Sequence, residues 1–493
     1  GYWGDHQIVY LLRLLEAWNR FDPGALEARL TDPIYTYADV PYRIAPWADL
    51  IADARSSIAF DAAANREASD RTAQLGADGK LLLDADGDLA KANLAEKLLV
   101  PALAKVSNLV VGGGIWLNTQ RPEWNDANNA LAGYGLSVVT AGYLHRYLEF
   151  VADRFRARDA DAIEMTSEVA TWINDVTGAL RERSSLLDAE APISDEARFE
   201  ALEGLGAAYS RYRTSVYSSG PSGHTAVPRD MIDEFLELSR RFVRHTVKMN
   251  RRDDGFFHSY NVLDIDTPGR AGVSHLPLML EGQVSALSSG VPTLEEAAAM
   301  METLFESSLH RTDQNSFLLY PNIDLPSFLS RNRVEADDVE GNTLLAALAA
   351  DGDATILGRD AFGSYRFSAA LTSHEDLSEA LEGLGDDPRW ADLVSSDGDA
   401  IHEIYESVFG HQRFTGRSAS MYKYEGLGSI YWHQVAKLLL AAQEAFLQAS
   451  EAEAPAELLD RLASAYYRIR SGLSSDKTPA QYGAFPMDLS LIH

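Results

Sequence analysis

The amino-acid sequence predicts an all-α fold, a closed ring of helical hairpins with a few short strands in its loops. Apolar residues recur at three- and four-residue spacing in about a dozen segments, whereas extended patterns are short and local. Strands and helices do not alternate along the chain, which disfavours a doubly wound sheet or an α/β barrel. A sequence repeat of fixed length is also missing, which disfavours an array of helical repeats.

The helical spacing recurs along the whole chain. It is strongest in residues 8–21, 94–111, 130–155, 163–180, 196–212, 231–247, 294–309, 344–350, 401–409, 431–449 and 457–469. Strand-like patterns occur in residues 80–84, 256–265 and 422–424. Long polar connections that contain aromatic residues, at 118–129 and 411–428, favour a ring over an open solenoid. Loops of this kind gather at one end of a barrel and build a site there.

We expect one domain that spans residues 1–493. The best breaks are the turn-rich stretch 218–223 and the polar stretch 183–195, and neither has the length of a domain linker. The chain is therefore predicted to bury a single large core.

Composition excludes several classes of function. The chain has 43 Lys and Arg against 73 Asp and Glu, a net charge of −30, and this field repels nucleic-acid backbones. It has no cysteine, which excludes disulfides, thiolate metal sites and thiol nucleophiles. No apolar run is long enough to span a membrane, so we expect no membrane partner. The sequence shows no signal-peptide pattern, and we expect a cytoplasmic location. Whether the protein forms a homo-oligomer stays open.

The sequence contains only incomplete versions of common cofactor and metal motifs. Gly112–Gly114 lacks the lysine and spacing of a phosphate loop, and we interpret it as a helix end followed by a turn. The Asp-rich stretch 84–88 has its glycine at the wrong position for a calcium loop. Neither His374-Glu375 nor His402-Glu403 is followed by a second histidine at the zinc-protease spacing. We therefore predict no metal and no cofactor.

Three segments combine aromatic rings with polar and charged groups. They are residues 1–7, 116–129 and 411–433. Sugar recognition needs this mixture, because flat C–H faces lie on aromatic rings and hydroxyl groups need polar partners. Cleavage of a glycosidic bond adds a carboxylic acid near the bridging oxygen. The segments therefore predict a carbohydrate site.

Within the second segment, Glu123 and Asp126 are three residues apart and would share one side of a helical turn. One carboxyl group could then donate a proton while the other binds or orients the sugar. An alternative is that Pro122-Glu123 is a plain helix start. In the third segment, Tyr422, Tyr431 and Trp432 could be core aromatics and His433 a structural histidine.

The sequence Pro-Glu-Trp124-Asn125-Asp126-Ala-Asn resembles the Gly-Asp-Trp-Asn-Asp-Gly-Met-Asn motif of the cellobiose and chitobiose phosphorylases, glycoside hydrolase family 94. The resemblance implies an (α/α)6 barrel over residues 1–493, without the family's flanking β-sandwich and C-terminal cap. It also implies that Asp126 is the general acid and that Trp124 contacts the sugar. The motif departs from the family at Glu123 and Ala127.

The other two segments resemble the same family. Gly-Tyr-Trp-Gly-Asp5-His-Gln is similar to the segment whose aspartate holds the sugar, which implies a binding role for Asp5. Tyr424-Glu425-Gly-Leu-Gly-Ser-Ile-Tyr-Trp-His433 resembles the stretch whose histidine contributes to the phosphate site. The spacing from Glu425 to His433 is one residue longer than in the family.

These features predict an inverting phosphorolysis of a β-linked oligosaccharide, with Asp126 as the acid and inorganic phosphate as co-substrate. The predicted phosphate ligands are Arg413, Arg417 and His433. The predicted sugar ligands are Trp3, Asp5, Arg121, Glu123, Trp124, Asn125, Tyr424 and Trp432.

Three alternatives stay open. An inverting hydrolase would use Asp126 as acid and Glu425 as the base that activates water. A sugar-binding ring would lack catalysis altogether. An isomerase or epimerase would depend on a pair among His224, His258 and His275, which no sequence motif joins.

Overall fold

The computed structural model describes residues 6–54, 56–118, 133–157, 161–188, 192–321, 327–410, 414–415, 421–422, 430–473 and 477–482. Contacts divide the chain into two compact units. Unit one comprises Gly1–Pro321 and Gly428–His493, and unit two comprises Asn322–Leu427. That they form one catalytic domain, as expected from the sequence, stays a prediction.

Helices form the larger part of unit one. They are α1 (His6–Phe21), α2 (Trp47–Ala52), α3 (Ala62–Leu75), α4 (Leu94–Val106), α5 (Val138–Arg156), α6 (Ser167–Glu182), α7 (Asp195–Ser219), α8 (Arg229–Met249), α9 (Leu280–Ser289), α10 (Leu294–Leu304), α16 (Trp432–Glu451) and α17 (Ala456–Ser471). Local chemistry sets several of their starts. The Asn93 side chain accepts a hydrogen bond from the Glu96 amide at α4, and Thr293 forms a reciprocal capping box with Glu296 at α10.

Short strands connect these helices. They are β1 (Tyr35–Thr36), β2 (Tyr42–Ile44), β3 (Ile58–Phe60), β4 (Lys91–Ala92), β5 (Leu109–Val110), β6 (Gly114–Trp116), β7 (Gly135–Ser137), β8 (Ala162–Thr166), β9 (His224–Pro228), β10 (Tyr260–Asp264), β11 (Gly272–His275), β12 (His310–Arg311) and β13 (Ser316–Phe317). Five of them form one antiparallel sheet in the order β11-β10-β7-β6-β5. The others pair as β1-β4, β2-β3, β8-β9 and β12-β13.

Three consecutive glycines make the tight turn between β5 and β6. Gly112 and Gly114 have φ angles of 77° and 130°, which side-chain-bearing residues rarely adopt. A Cβ atom at Gly113 would lie 2.7 Å from Cδ1 of Leu136, and one at Gly114 would lie 2.9 Å from the carbonyl carbon of Ser137. The glycines therefore form a hairpin turn inside the sheet rather than the helix end expected from the sequence.

The prediction of an all-α (α/α)6 barrel is wrong. The described residues form a mixed fold, in which helices dominate but a five-stranded sheet is part of the core. Strands β5, β6 and β7 have two or three residues each and are buried at every position, so their sequence shows no alternation. The predicted helix over 94–111 ran through β5, whereas α4 ends at Val106.

The sheet has its own apolar core beside the main one. The main cluster of unit one packs large side chains such as Tyr147, Phe155 and Trp172 between the helices. A separate cluster packs Trp116 and Leu136 of the sheet with other apolar residues. The indole Nε1 of Trp116 donates a hydrogen bond of 2.8 Å to the carbonyl of Gly133, which ties together the two chain ends that flank residues 119–132.

Unit two has a separate small core. Its elements are α11 (Phe328–Arg331), α12 (Ala336–Gly341), α13 (Thr343–Asp351), β14 (Leu357–Arg359), β15 (Tyr365–Phe367), α14 (His374–Gly385), α15 (Ala391–Phe409), β16 (Phe414–Thr415) and β17 (Met421–Tyr422). The hairpin β14-β15 and the helices α13, α14 and α15 enclose Leu344, Ile356, Phe367, Leu377 and Tyr405. Because this cluster includes no residue of unit one, unit two has a hydrophobic core of its own.

Among the described helices of both units, none is both long enough and apolar enough to cross a membrane.

Candidate functional site

Most of the predicted site residues lie outside the described parts of the chain. These are Trp3, Asp5, Arg121, Glu123, Trp124, Asn125, Asp126, Arg413, Arg417, Tyr424 and Glu425. Trp432 and His433 are described, and both lie in the first turn of α16. The roles of all these residues stay predictions. The described residues that border the three segments define the surroundings of the site.

A cavity of about 610 Å³ lies in unit one. Its wall combines α1, α4, α6, α7 and the chain at 35–44 and 115–118. Gln7, the last residue of the first predicted segment, and Asn118, which belongs to the second, both line it. A cavity of this size is typical of small-molecule sites, which measure roughly 300–1,000 Å³.

One wall of the cavity is a stack of aromatic rings. The indole of Trp172 stacks on Tyr209 at 4.8 Å and on Tyr212 at 4.2 Å between ring centroids. The guanidinium of Arg213 lies 4.1 Å from the Tyr209 ring centroid. Burial raises the pKa of Tyr209 to about 12, so its hydroxyl stays protonated and can donate. The stack gives the cavity a rigid apolar side.

A buried carboxylate, Glu96, faces the same cavity from the first turn of α4. It is 1% exposed and accepts hydrogen bonds from the Tyr37 hydroxyl at 2.8 Å, the Thr166 amide at 2.8 Å and the Thr166 hydroxyl at 3.1 Å. Burial, followed by the charge of Glu96, raises the pKa of Tyr37. Protein donors thus occupy both oxygens of this carboxylate, which holds Tyr37 and Thr166 in place. Glu96 was not predicted as a site residue. In the sequence it stands out only by its position three residues after the helix cap Asn93.

Cations line the same cavity near Glu96. Nζ of Lys97 donates a 2.9 Å hydrogen bond to the carbonyl of Thr36 and lies 3.9 Å from the Tyr37 ring centroid. Burial lowers the pKa of Lys97, and the charge of Glu96 partly counteracts this effect. The guanidinium of Arg43 lies 4.9 Å from the Tyr217 ring centroid. Aromatic faces beside fixed cations and carboxylates are the groups that bind sugar rings and their hydroxyls.

The two described site residues lie side by side but have different neighbours. Nζ of Lys477 lies 4.3 Å from the Trp432 ring centroid, and the Tyr482 ring is 6.1 Å away. The imidazole of His433 is exposed and stacks near Tyr431 at 5.8 Å. Burial, and then the charge of Lys437, lowers the pKa of His433. His433 is therefore a neutral hydrogen-bonding group at neutral pH.

A second, much smaller cavity of about 20 Å³ lies where four helices begin. Its lining comes from the first two turns of α1, α5, α9 and α16 and consists of Val9, Tyr10, Val139, Thr140, Tyr143, Glu281, Gln434 and Lys437. Glu281 is buried and Lys437 is half-buried. Burial lowers the pKa of Lys437, and the negative charge of Glu281 counteracts this effect in part. Neither Glu281 nor Lys437 was predicted from the sequence to belong to a site.

A network of four charges fixes α1, α5 and α16 relative to one another. Nε of Arg146 lies 2.6 Å from Oε1 of Glu16, and its Nη1 lies 2.7 Å from Oε2 of Glu444. Arg13 forms ion pairs with the same two carboxylates. Burial alone would raise the pKa of Glu444, but the hydrogen bonds and charges of Arg146 and Arg13 outweigh it and lower that pKa. The network is neutral overall and links the three helices.

The structure joins two of the histidines that the isomerase alternative required. The rings of His258 and His275 stack at 3.9 Å and 7°. Burial, and then the charge of His275, lowers the pKa of His258 to about 4. Burial also lowers the pKa of His275. His224 belongs to β9, which pairs with β8 outside this sheet. For both rings the lowered pKa favours the neutral imidazole.

Across the described ranges, no group of three or more His, Asp or Glu side chains is arranged to hold a metal ion.

One part of the chain matches a known protein family. Residues 325–412 match the family model described as GH149 phosphorylase insertion domain 2, and this range lies within unit two. No curated protein matches the chain. The match indicates an enzyme of the glycoside phosphorylase type, which confirms the predicted enzyme class. It supports a phosphorylase-related family, but it does not single out family 94.

Proposed function

We propose that this enzyme cleaves a glycosidic bond of an oligosaccharide by phosphorolysis, with inversion at the anomeric carbon. The observation that carries the proposal is the aromatic cavity of about 610 Å³, whose wall includes Gln7 and Asn118. These residues belong to two of the three predicted sugar-binding segments. The match of residues 325–412 to a phosphorylase insertion domain supports the same reaction.

In the proposed reaction, Asp126 donates a proton to the oxygen that leaves. Phosphate attacks the anomeric carbon from the opposite face, and the bond to the leaving oxygen breaks as the bond to phosphate forms. Because phosphate is already an anion, no protein base is needed. Arg413 and Arg417 would neutralise its charge, and His433 would donate a hydrogen bond to one of its oxygens.

The proposed sugar ligands divide by chemistry. Trp3, Trp124, Tyr424 and Trp432 offer ring faces to the C–H surfaces of sugars. Asp5, Arg121, Glu123 and Asn125 offer hydrogen bonds to hydroxyl groups. The stacked wall at Trp172 and the buried Glu96 extend the same mixture into the cavity. A cavity of this kind suits a chain of sugar units better than a compact apolar ligand.

The test is phosphorus and proton NMR of the protein with a panel of β-linked disaccharides, with and without phosphate. We expect a sugar 1-phosphate resonance that appears only when phosphate is present. Free reducing sugar in both buffers would contradict phosphorolysis and support a hydrolase with Glu425 as base.

The role of Asp126 is tested by Asp126→Asn in the same assay. General acid catalysis contributes about 10²- to 10⁴-fold, so turnover should fall by that factor. Asp70→Asn on the exposed surface of α3 is the matched control and should keep full turnover. Equal turnover of the two variants would contradict the assignment of Asp126.

A further inference from the structure

Arg213 is a buried cation of the large cavity that lacks a carboxylate partner among the described residues. It lies on α7, is 4% exposed and lines the cavity of about 610 Å³. Its Nη2 atom donates a hydrogen bond of 3.0 Å to the carbonyl of Ala45, whereas its Nε atom is buried and has no hydrogen-bond partner in the described part of the chain. Its guanidinium also lies over the Tyr209 ring. A buried charge costs free energy unless an opposite charge and further hydrogen bonds satisfy it.

Arg198 shows how the same helix satisfies a buried guanidinium elsewhere. It is 8% exposed, and its Nη1 atom lies 2.7 Å from Oδ1 of Asp195. Its nitrogens also donate to three main-chain carbonyls, at 3.0, 2.6 and 3.1 Å. Arg213 is buried more deeply than Arg198 but has one carbonyl and no carboxylate within the described residues. It therefore has donors left for a ligand in the cavity.

The lining of the cavity is positive, although the chain as a whole carries a net charge of −30. Its charged residues are four cations, Arg43, Lys97, Lys105 and Arg213, against two carboxylates, Asp39 and Glu96. Both carboxylates are occupied: Asp39 lies 2.8 Å from Arg71, and Glu96 accepts three hydrogen bonds. Because a cavity wall of low dielectric weakens screening, this excess of positive charge favours an anion inside.

Arg43 brings a second guanidinium to the side of the cavity where Arg213 lies. Its guanidinium is 4.9 Å from the ring centroid of Tyr217, which follows Arg213 by one turn of α7. Arg43 also precedes Ala45, whose carbonyl binds Arg213, by two residues. Its Nε atom lies 3.3 Å from Oδ2 of Asp61, so part of its charge is already balanced. Arg43 is therefore the weaker of the two ligands for an anion.

Aromatic rings adjoin these cations and give the cavity a flat face. Tyr212, which directly precedes Arg213 in the chain, stacks on Trp172 at 4.2 Å between ring centroids. The C–H face of a sugar ring packs on such a surface. A guanidinium fork matches two oxygens of a carboxylate or a phosphate group. The wall thus combines a surface for a sugar ring with a site for an anionic substituent.

We propose that the large cavity binds a sugar unit that carries an anionic group, a carboxylate or a phosphate ester, and that Arg213 is the main ligand of that group. The proposal rests on the proposed function and names its substrate class, an acidic oligosaccharide. A neutral sugar would pack on the same aromatic face but would leave the charge of Arg213 without a counter-ion.

The first experiment is isothermal titration of the full chain with acidic sugars at pH 7.5 and low salt. The ligands are glucuronate, galacturonate and mannuronate, the 6-phosphates of glucose, galactose and mannose, and the three neutral hexoses as matched controls. We expect at least one acidic sugar to bind 10-fold or more tightly than the hexose with the same ring. A preference for the uronates would identify a carboxylate, and a preference for the 6-phosphates would identify a phosphate ester. Equal affinity for acidic and neutral sugars, or no binding of any acidic sugar, would overturn the proposal.

Variants of Arg213 locate the anion site. Arg213→Met should weaken binding of the acidic sugar by about 10- to 100-fold, the effect of losing a charged hydrogen bond, and leave binding of the neutral hexose unchanged. Arg213→Lys should recover part of the loss. Arg211→Met is the matched control, because Arg211 lies on the exposed side of α7, where it pairs with Asp175, and this variant should bind like the wild-type chain.

Thermal unfolding and near-ultraviolet circular dichroism show whether the buried substitution preserves the fold. Arg43→Met changes a more exposed residue and tests the same site if Arg213→Met does not fold. We expect it to weaken binding of the acidic sugar by about 3- to 10-fold. Wild-type affinity for the acidic sugar in a folded Arg213→Met, or in Arg43→Met where the first variant does not fold, would overturn the proposal.

The sugar 1-phosphate assay, run on β-linked disaccharides with and without an acidic unit, separates this proposal from the proposed function. Binding of acidic sugars that depends on Arg213, without sugar 1-phosphate from any disaccharide, would contradict phosphorolysis and leave the acidic-sugar site standing. Sugar 1-phosphate formed equally well by wild type and Arg213→Met from neutral and acidic disaccharides would overturn the acidic-sugar site and leave phosphorolysis standing.

Discussion

Nδ1 of His374 and Nδ1 of His402 face each other at 3.2 Å between the helices α14 and α15, with their rings 18° from parallel. Nε2 of His374 lies 2.9 Å from Oε2 of Glu406, and Nε2 of His402 lies 3.5 Å from the Ser378 hydroxyl. One proton can lie between the two Nδ1 atoms, since one nitrogen donates and the other accepts. Two protons cannot lie there, because each Nδ1 would then carry a hydrogen and the two rings would be adjacent cations.

This contact predicts that unit two loses stability in acid. Burial, and then the charge of His374, lowers the pKa of His402 below the value of about 6.5 that it has in the unfolded chain. The unfolded chain therefore binds more protons, so the stabilising contribution is complete above about pH 6.5 and declines as the pH falls through the folded pKa. Asp399 opposes this shift and Glu406 faces His374.

Hydrogen exchange of the full chain at pH 7.5 and pH 5, corrected for intrinsic rates, measures the effect at α14 and α15. We expect faster exchange in both helices at pH 5 and a smaller difference in His402→Gln, which cannot take up the second proton. Equal protection of the wild-type helices at the two pH values would contradict the prediction.

The charge network predicts a large cost for removing Arg146. Arg146→Met leaves Glu16 and Glu444 with only Arg13 to balance them in a partly buried site. Breaking a buried pair in this way costs about 3–5 kcal/mol of unfolding free energy. Urea unfolding measures it. The control is Arg156→Met, whose ion pair with Asp153 is 62% and 55% exposed and should contribute less than about 1 kcal/mol. Equal urea midpoints for the two variants would show that the network contributes little.

Glu96→Gln tests the buried carboxylate of the large cavity. Glutamine presents one acceptor and one donor group where Tyr37 and Thr166 both donate, so at least one buried donor loses its partner. We expect a loss of about 1–3 kcal/mol in unfolding free energy, measured by chemical denaturation. Glu67→Gln on the exposed side of α3 is the control and should leave stability unchanged. A Glu96 variant as stable as this control would mean that the three hydrogen bonds are dispensable.

Two glycines predict opposite effects of the same substitution. Gly114→Ala places a Cβ atom 2.9 Å from the Ser137 carbonyl carbon at a φ of 130°, so it should destabilise unit one by more than about 1 kcal/mol. Gly178→Ala lies in α6 with no atom within 4 Å of the new Cβ, so it should stabilise by about 0.5–1 kcal/mol. Thermal unfolding of both variants measures the difference. Shifts of the same sign would contradict the strain assigned to the β5-β6 turn.

Helices with one continuous apolar stripe were predictable from the sequence. The segment 231–247 became α8 (Arg229–Met249), and 8–21 became α1 (His6–Phe21). Segments in which a buried strand adjoins a helix were not predictable, because the strand adds apolar residues to the helical pattern. For this reason the helix predicted over 163–180 included most of strand β8 (Ala162–Thr166).

The cavity was not predictable, because its members share no local pattern. Trp172 and Tyr209 fit the apolar stripes of α6 and α7, and nothing in either stripe indicates that the two rings stack. Glu96 fits the acidic first turn of α4. Their common function depends on the packing of separate helices, which the periodicity of one segment does not encode.

The five-stranded sheet has a consequence for how unit one reaches its native state. Strands β5, β6 and β7 are close in the chain, but β7 completes its pairing only when Val262 of β10 meets Gly135. This contact closes a long loop before its pairing contributes any free energy, so the sheet is a slow, late step of folding. Until β10 arrives, β7 presents an open apolar edge to other chains. Refolding yield should therefore decrease as protein concentration rises.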